Sequence, residues 1–428
     1  MHSSFYVFNN VLVSFFKKDC TYLTSCFIEY YDIRNVEDSM KLFSTRNAII
    51  GEVIAIVLLV VIILGRMEVD NENDGLDVAS SSIQGEVEYE TEEGNSEFAV
   101  ESTNETEESE GEGQDENTKK DYIKWVDFDV SYQAMDEAYQ CDVESYGKDV
   151  KINWVELLAY LATKYGGDFS KYKSKDLNAL VEKLQNKETT MQELTKDMKY
   201  YSYYFDSYNA ILGGFVGEYE VETLQEEGTV AKLWEKKYGL KAFLPIAKNF
   251  PYSDFDDFGV SRSYGYKRKH LGHDMMGQVG TPIVAVESGY VEAIGWNQYG
   301  GWRIGIRSFD KKRYYYYAHL RKNFPYNKDL KEGSVVTAGD VIGYLGRTGY
   351  SKTENKNNID QSHLHFGMQI IFDESQKEGN NEIWIDCYNI IRFLYRNRSE
   401  TVKNSETKEW YRIYDLKDPC VTQYLESK

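Results

Sequence analysis

The stretch HLHFGMQII, residues 363–371, decides how the second half of this 428-residue chain is read. Its residues alternate at period two, the mark of a strand with one buried face. On a strand, residues two apart point to the same side. His363 and His365 therefore face one pocket, while Leu364 turns into the core. Neighbouring runs share the texture: GTPIVAVESGYVEAIGW from residue 280, GGWRIGIRSF from 300, RYYYYAHL from 313 and GSVVTAGDVIGYLGRTG from 333, parted by Gly-containing turns. Residues 251–400 are thus expected to form a strand-rich domain, closed by a helix over DCYNIIRFLYRN with Asp386 as its cap. Residues 401–428 read as a C-terminal tail.

Working outward, the strand domain holds five of the six histidines: His270, His273, His319, His363 and His365. Such crowding on strands and turns suggests metal ligation or acid–base work. In KHLGHDMMG, residues 269–277, His270 and Asp274 stand four apart around Gly272, so both can reach one cation. His319 closes the YYYYAHL strand. Taken singly, an HxxxD, an HxH or one strand-end histidine means little; a partly buried polar side chain explains each. Together they supply two nitrogens and a carboxylate oxygen, a set that suits Zn²⁺ with an open fourth position. Two histidines remain to handle protons or steady an oxyanion.

These motifs, with HLGHD, GTPIVAVESGYV, YAHL, GDVIGYLGRTG and HLHFGMQ in that order, resemble the M23 (lysostaphin/LytM-like) family of zinc metallopeptidases over about residues 255–398. The resemblance implies an antiparallel β-sheet groove. It implies zinc ligation by His270, Asp274 and His365, with His319 and His363 as the catalytic histidines flanking the metal. Tyr264, in SRSYGYKRKH, falls where the family often has a tyrosine near the oxyanion; Tyr266 is equally close in sequence. His273 matches no family role and is expected behind the ligands or at the surface. The segment between SYG and His270 is only YKRK, shorter than in many members, which alters the rim of the cleft and so bears on substrate choice.

The N-terminal half differs. AIIGEVIAIVLLVVIILG, residues 48–65, carries a single charge, Glu52. Its helical length is roughly 26 Å, enough for a bilayer core. A transmembrane helix is expected over 46–66, the alternative being a buried core helix. Lys41 and Arg46 precede it, and after Arg66 the next basic residue is Lys119. That bias puts residues 1–45 in the cytoplasm and the rest outside. Met40, opening MKLFSTRN, reads as the natural start. No small-residue cleavage site follows the apolar run, which argues against a removed signal peptide.

The formal net charge is −21, yet residues 67–118 hold nineteen Asp and Glu and no Lys or Arg, leaving the remainder near neutral. Residues 67–120 therefore read as a disordered acidic spacer. No basic face argues for nucleic acid. Five cysteines, none in a CxxC pair, favour buried thiols over a disulfide framework or zinc ribbon. Residues 121–250 read as a small helical bundle. NWVELLAYLATKYGG has Asn153 and Glu156 placed as a capping box and Gly166 as its stop. SKDLNALVEKLQN makes a second helix, and TTMQELTKDMKYYSYYFDSYNAILGG a third, rich in tyrosine. A catalytic role for Glu156 beside Trp154 is less economical than its cap.

The sequence thus predicts an α+β multidomain chain: a transmembrane anchor, an acidic linker, a helical domain and an antiparallel β-sheet M23 domain. It is expected to be a single-pass protein of the cell membrane. Its zinc endopeptidase would face the cell wall and cut peptidoglycan stems or cross-bridges. The competing expectation is an M23-like scaffold or peptidoglycan-binding protein without catalysis, as in sporulation complexes. Protein partners are not readable from the sequence.

Overall fold

The computed structural model describes residues 122–223, 232–263, 267–377 and 379–428. The expected membrane segment, the acidic linker, Met40, Tyr264 and Tyr266 lie outside the described residues. Among the described residues, no helix is long and apolar enough to cross a membrane.

Five helices come first: α1 (Tyr132–Ser145), α2 (Trp154–Tyr165), α3 (Ser174–Gln185), α4 (Met191–Thr195) and α5 (Tyr201–Leu212). Helix α2 begins where the Asn153 side chain accepts from the Val155 and Glu156 amides, and it ends on Gly166 in the left-handed region. Trp154, Leu157, Leu158 and Leu161 line its buried face. The tyrosine-rich stretch read as one helix is two, α4 and α5, with a break over residues 196–200. A Thr190–Glu193 capping box starts the first. No proline or glycine marks the break in the sequence.

The chain then departs from the helical expectation. β1 (Val216–Thr223) and β2 (Leu233–Leu240) form an antiparallel hairpin within the stretch expected to be helical. Alternation explains it: Glu218, Glu220 and Glu222 share one face of β1, with Glu220 opposite Lys236. Tyr219 and Val221 alternate with these glutamates, so EYEVET carries the period-two mark of a strand.

The sheet domain follows as β3 (Tyr252–Ser253), β4 (Ser261–Ser263), β5 (Lys267–Lys269), β6 (His273–Gly277), β7 (Pro282–Val284), β8 (Gly289–Asn297), β9 (Gly301–Ser308), β10 (Arg313–Ala318), β11 (Val335–Val336), β12 (Val341–Tyr344), β13 (His363–Ile370) and β14 (Ile383–Ile385). Eight of these make one sheet, in the order β11-β8-β9-β10-β13-β6-β3, with β14 also paired to β13. Every pairing within it is antiparallel. Tyr315 and Tyr317 of β10 and Leu364, Phe366 and Met368 of β13 are buried on one face. Tyr314, Tyr316 and His365 lie on the other.

Helix α6 (Tyr388–Leu394) closes the domain, and the Tyr388 amide donates to Asp386 as expected. Residues 401–428 are no loose tail. They form the hairpin β15 (Thr401–Lys403) and β16 (Trp410–Arg412), then β17 (Leu416–Lys417), which pairs with β1, and α7 (Pro419–Glu426). Lys241 reaches Asp418, the cap of α7, at 2.8 Å, and both are buried.

Helices and sheet share one apolar core, which runs from Phe128 through α2 and α5 to the sheet and α6. Trp154 stacks on Phe393 with ring centroids 5.4 Å apart. At the junction sits a buried ion pair. Arg313 donates through Nε to Glu287 at 2.7 Å, through Nη2 to the same carboxylate at 3.1 Å, and through Nη1 to the Ala210 carbonyl of α5 at 2.7 Å. The Tyr315 hydroxyl donates to Glu287 at 2.6 Å. With these partners the charges are compensated, whereas removing one leaves the other buried and alone. Arg313→Ala is therefore expected to lower unfolding stability by about 3–5 kcal/mol, read from urea denaturation.

Candidate metal centre

The register of β6 on β13 sets His365 directly opposite Asp274. His270 lies just ahead of β6, and its backbone is tied to the Val260 carbonyl and the Gly259 amide. The three side chains meet: His270 Nε2 is 3.1 Å from Asp274 Oδ1 and 3.0 Å from His365 Nδ1, and His365 Nδ1 is 2.8 Å from Asp274 Oδ1. One donor atom from each converges on a common point. Donors around a tetrahedral zinc with bonds near 2.0–2.1 Å stand about 3.3 Å apart, so a few tenths of an ångström of spreading admits the ion. Two imidazole nitrogens with one carboxylate oxygen are donors that zinc accepts readily.

Gly272 makes this convergence possible. A Cβ there would lie 2.5 Å from His365 Cε1 and 2.6 Å from its Nε2, closer than any real contact. The glycine inside KHLGHDMMG is thus the space into which the second imidazole fits. His273, the next residue, faces away: it is buried, with Nε2 2.8 Å from Asp254 and its ring near Tyr388. It is neither a donor at this centre nor a surface residue.

Electrostatics favour the charged carboxylate. Burial alone would raise the Asp274 pKa, but hydrogen bonds from His270 and His365 outweigh it and hold the group far below the usual range. Burial lowers the pKa of His365 despite Asp274, so its imidazole stays neutral and able to ligate.

His319 and His363 stand beside the three donors, ring centroids 4.8 Å apart. Each has its Nδ1 fixed by a main-chain carbonyl, His319 by Thr348 at 2.9 Å and His363 by Gln361 at 2.8 Å. A carbonyl only accepts, so each Nδ1 donates, which leaves each Nε2 as the ring atom available to a reacting group. His363 Nε2 is 3.7 Å from Asp274 Oδ2. Burial, reinforced by the neighbouring His363 and His365, pushes the pKa of His319 well below its ordinary value. His319 also has a positive φ of 61°. That conformation is strained in a non-glycine residue; it swings the imidazole off the end of β10 into the cleft. The Thr348 hydroxyl, bonded to the Leu320 carbonyl and accepting from the Trp302 amide, fixes the loop that presents the carbonyl.

Two residues at the centre escape a reading of the sequence alone. Asp257 meets His270 Nδ1 through its main-chain oxygen at 3.2 Å, a hydrogen bond that orients the ring, while its Oδ1 lies 3.2 Å away without a hydrogen bond of its own among the described residues. Arg262 on β4 bridges Asp257 and Asp274, reaching Asp274 Oδ2 at 2.7 Å. Both come from the irregular stretch DFDDFGVSRS, whose spacing carries no strand or helix period.

A polar β-sheet cleft thus holds this His–Asp–His cluster, with the His319 and His363 rings beside it. Residues 268–387 match the sequence profile of Peptidase family M23, and this part of the chain is an M23 peptidase domain of the lysostaphin/LytM type. Over 125 residues the chain is 38% identical to an L-Ala–D-Glu endopeptidase of Bacillus subtilis, which covers 29% of this chain and 36% of that relative. Over 102 residues it is 40% identical to lysostaphin of Staphylococcus simulans, 24% of this chain and 18% of the other. The lysostaphin catalytic domain from the same organism aligns at 30% identity over 33% of this chain and 92% of that one, with a TM-score of 0.26. The chain spans about a third or less of the length of these two curated relatives.

Proposed function

We propose that the chain is a zinc-dependent endopeptidase acting on peptide bonds in peptidoglycan stems or cross-bridges. One observation carries the reading: His270, Asp274 and His365 bring a donor atom each within 3.1 Å of one another, beside two histidines with free Nε2 atoms. These three residues would hold the zinc. When bound, zinc acts as a Lewis acid toward the scissile carbonyl and acidifies a water.

The remaining work belongs to the chain. His319 and His363, each held at Nδ1 by a main-chain carbonyl, divide two tasks between their Nε2 atoms. One takes the proton from the attacking water and passes it to the leaving amine. The other, acting in its protonated form, gives a hydrogen bond to the oxyanion that develops on the carbonyl and keeps its proton throughout. Tyr264 is proposed to lend a further hydrogen bond there. The names of the relatives support the substrate class, since two of them are an L-Ala–D-Glu endopeptidase and a peptidoglycan DD-endopeptidase. An M23-like scaffold would have no need of two carbonyl-pinned histidines beside its donors.

For location, we propose that residues 48–65 anchor the chain in the cell membrane. The acidic spacer would carry the peptidase outward to the wall. Its hydropathy, and the basic residues Lys41 and Arg46 on one flank, support this.

Asp274→Ala and His365→Ala are expected to lose bound zinc and wall hydrolysis together, by metal analysis and by turbidity of purified walls. His319→Ala should keep the metal and lose roughly 10²–10⁴-fold in rate. Undiminished hydrolysis in any of the three overturns the proposal.

A further inference from the structure

A cleft of about 820 Å³ opens along the sheet from His270 and His365, lined also by Arg268, Arg303, Tyr316 and Trp384. Its floor is aromatic. At Gly305 on β9 a Cβ would lie 1.9 Å from the Tyr314 hydroxyl, so the missing side chain lets that ring lie across the strand. Tyr316 meets the His365 ring edge-on at 6.0 Å and Trp384 at 6.2 Å.

The cations along this cleft are not alike. Lys377 pairs with Glu292 at 3.0 Å. Arg307, further along β9, is buried and spent on Glu374, Glu292 and the Lys311 carbonyl. The other carboxylate of the lining, Glu382, accepts from Trp384 Nε1 at 2.8 Å. Arg303 has no ion pair among the described residues, and its Nη1 is enclosed without a hydrogen-bond partner. Arg268 likewise has no carboxylate, its guanidinium lying over the Tyr350 ring at 4.9 Å. Both line the cleft together with Tyr316, the ring that meets His365. Two unspent cations therefore flank one tyrosine beside the metal centre.

An enclosed guanidinium nitrogen without an acceptor is costly unless a ligand completes it. The planar guanidinium fork fits a carboxylate. We infer that Arg303, with Arg268 beside it, is a specificity-determining residue that binds a free carboxylate of the substrate next to the scissile bond. The inference rests on the endopeptidase reading and narrows it. A glutamate in a peptide stem commits one carboxyl to the onward amide and leaves the other ionised. A glycine bridge offers no such group. The cleft is thus built for an acidic stem and not for a polyglycine cross-bridge.

The test uses the full zinc-loaded chain and two synthetic stem peptides that differ only at the glutamate: free carboxylate in one, carboxamide in the other. Wild type should cleave the carboxylate peptide with kcat/KM at least tenfold higher, mainly through KM. In Arg303→Gln the ratio should collapse towards one, and Arg303→Lys should restore part of it, with zinc content unchanged in both. Equal cleavage by wild type, or an undiminished ratio in Arg303→Gln, overturns the inference. If wild type releases nothing from either peptide or from intact walls, the endopeptidase reading falls by itself. Equilibrium binding of the same pair then decides the inference: a tenfold preference lost in Arg303→Gln upholds it, and equal binding overturns it.

Discussion

The register between β6 and β13 is the constraint on which the rest depends. Side chains alternate along both strands, so a slip of one residue would turn Asp274 and His365 to opposite faces of the sheet. The core prevents the slip. Leu364 and Phe366 on β13 and Met275 on β6 are fully buried, and they would be forced out into the cleft by the same movement. The chemistry on one face is therefore located by the hydrophobic burial on the other. That coupling extends through β10, where Ala318 sits opposite His365 and the next residue, His319, turns in.

What the sequence showed and what it hid divide along this line. The HxH pair was legible because period-two spacing assigns sides directly. The HxxxD pair was legible because its residue types are rare and close. The glycine between them looked like loop punctuation; only the fold reveals that it makes room for the His365 ring. Asp257 and Arg262 could not be read, since their approach to His270 and Asp274 depends on how an aperiodic segment returns to the sheet. The carbonyls of Thr348 and Gln361 left no trace either, because any residue type supplies a carbonyl.

The misread regions fail for a related reason. Strand β1 alternates glutamate with Tyr219 and Val221, but EYEVET is only six residues long, a short period-two run directly after a series of helices. The C-terminal residues contain few large apolar side chains, yet Leu416 is buried in β17 against β1 and Trp410 packs edge-on to Phe250. Tertiary pairing, not local composition, orders these segments.

The shared core has a consequence for how this catalytic unit can be moved between proteins. An excised sheet domain would carry a raw apolar face, where Phe393 loses its Trp154 partner and Arg313 its anchor on α5. A graft onto another carrier would have to travel with its helices and its C-terminal hairpin.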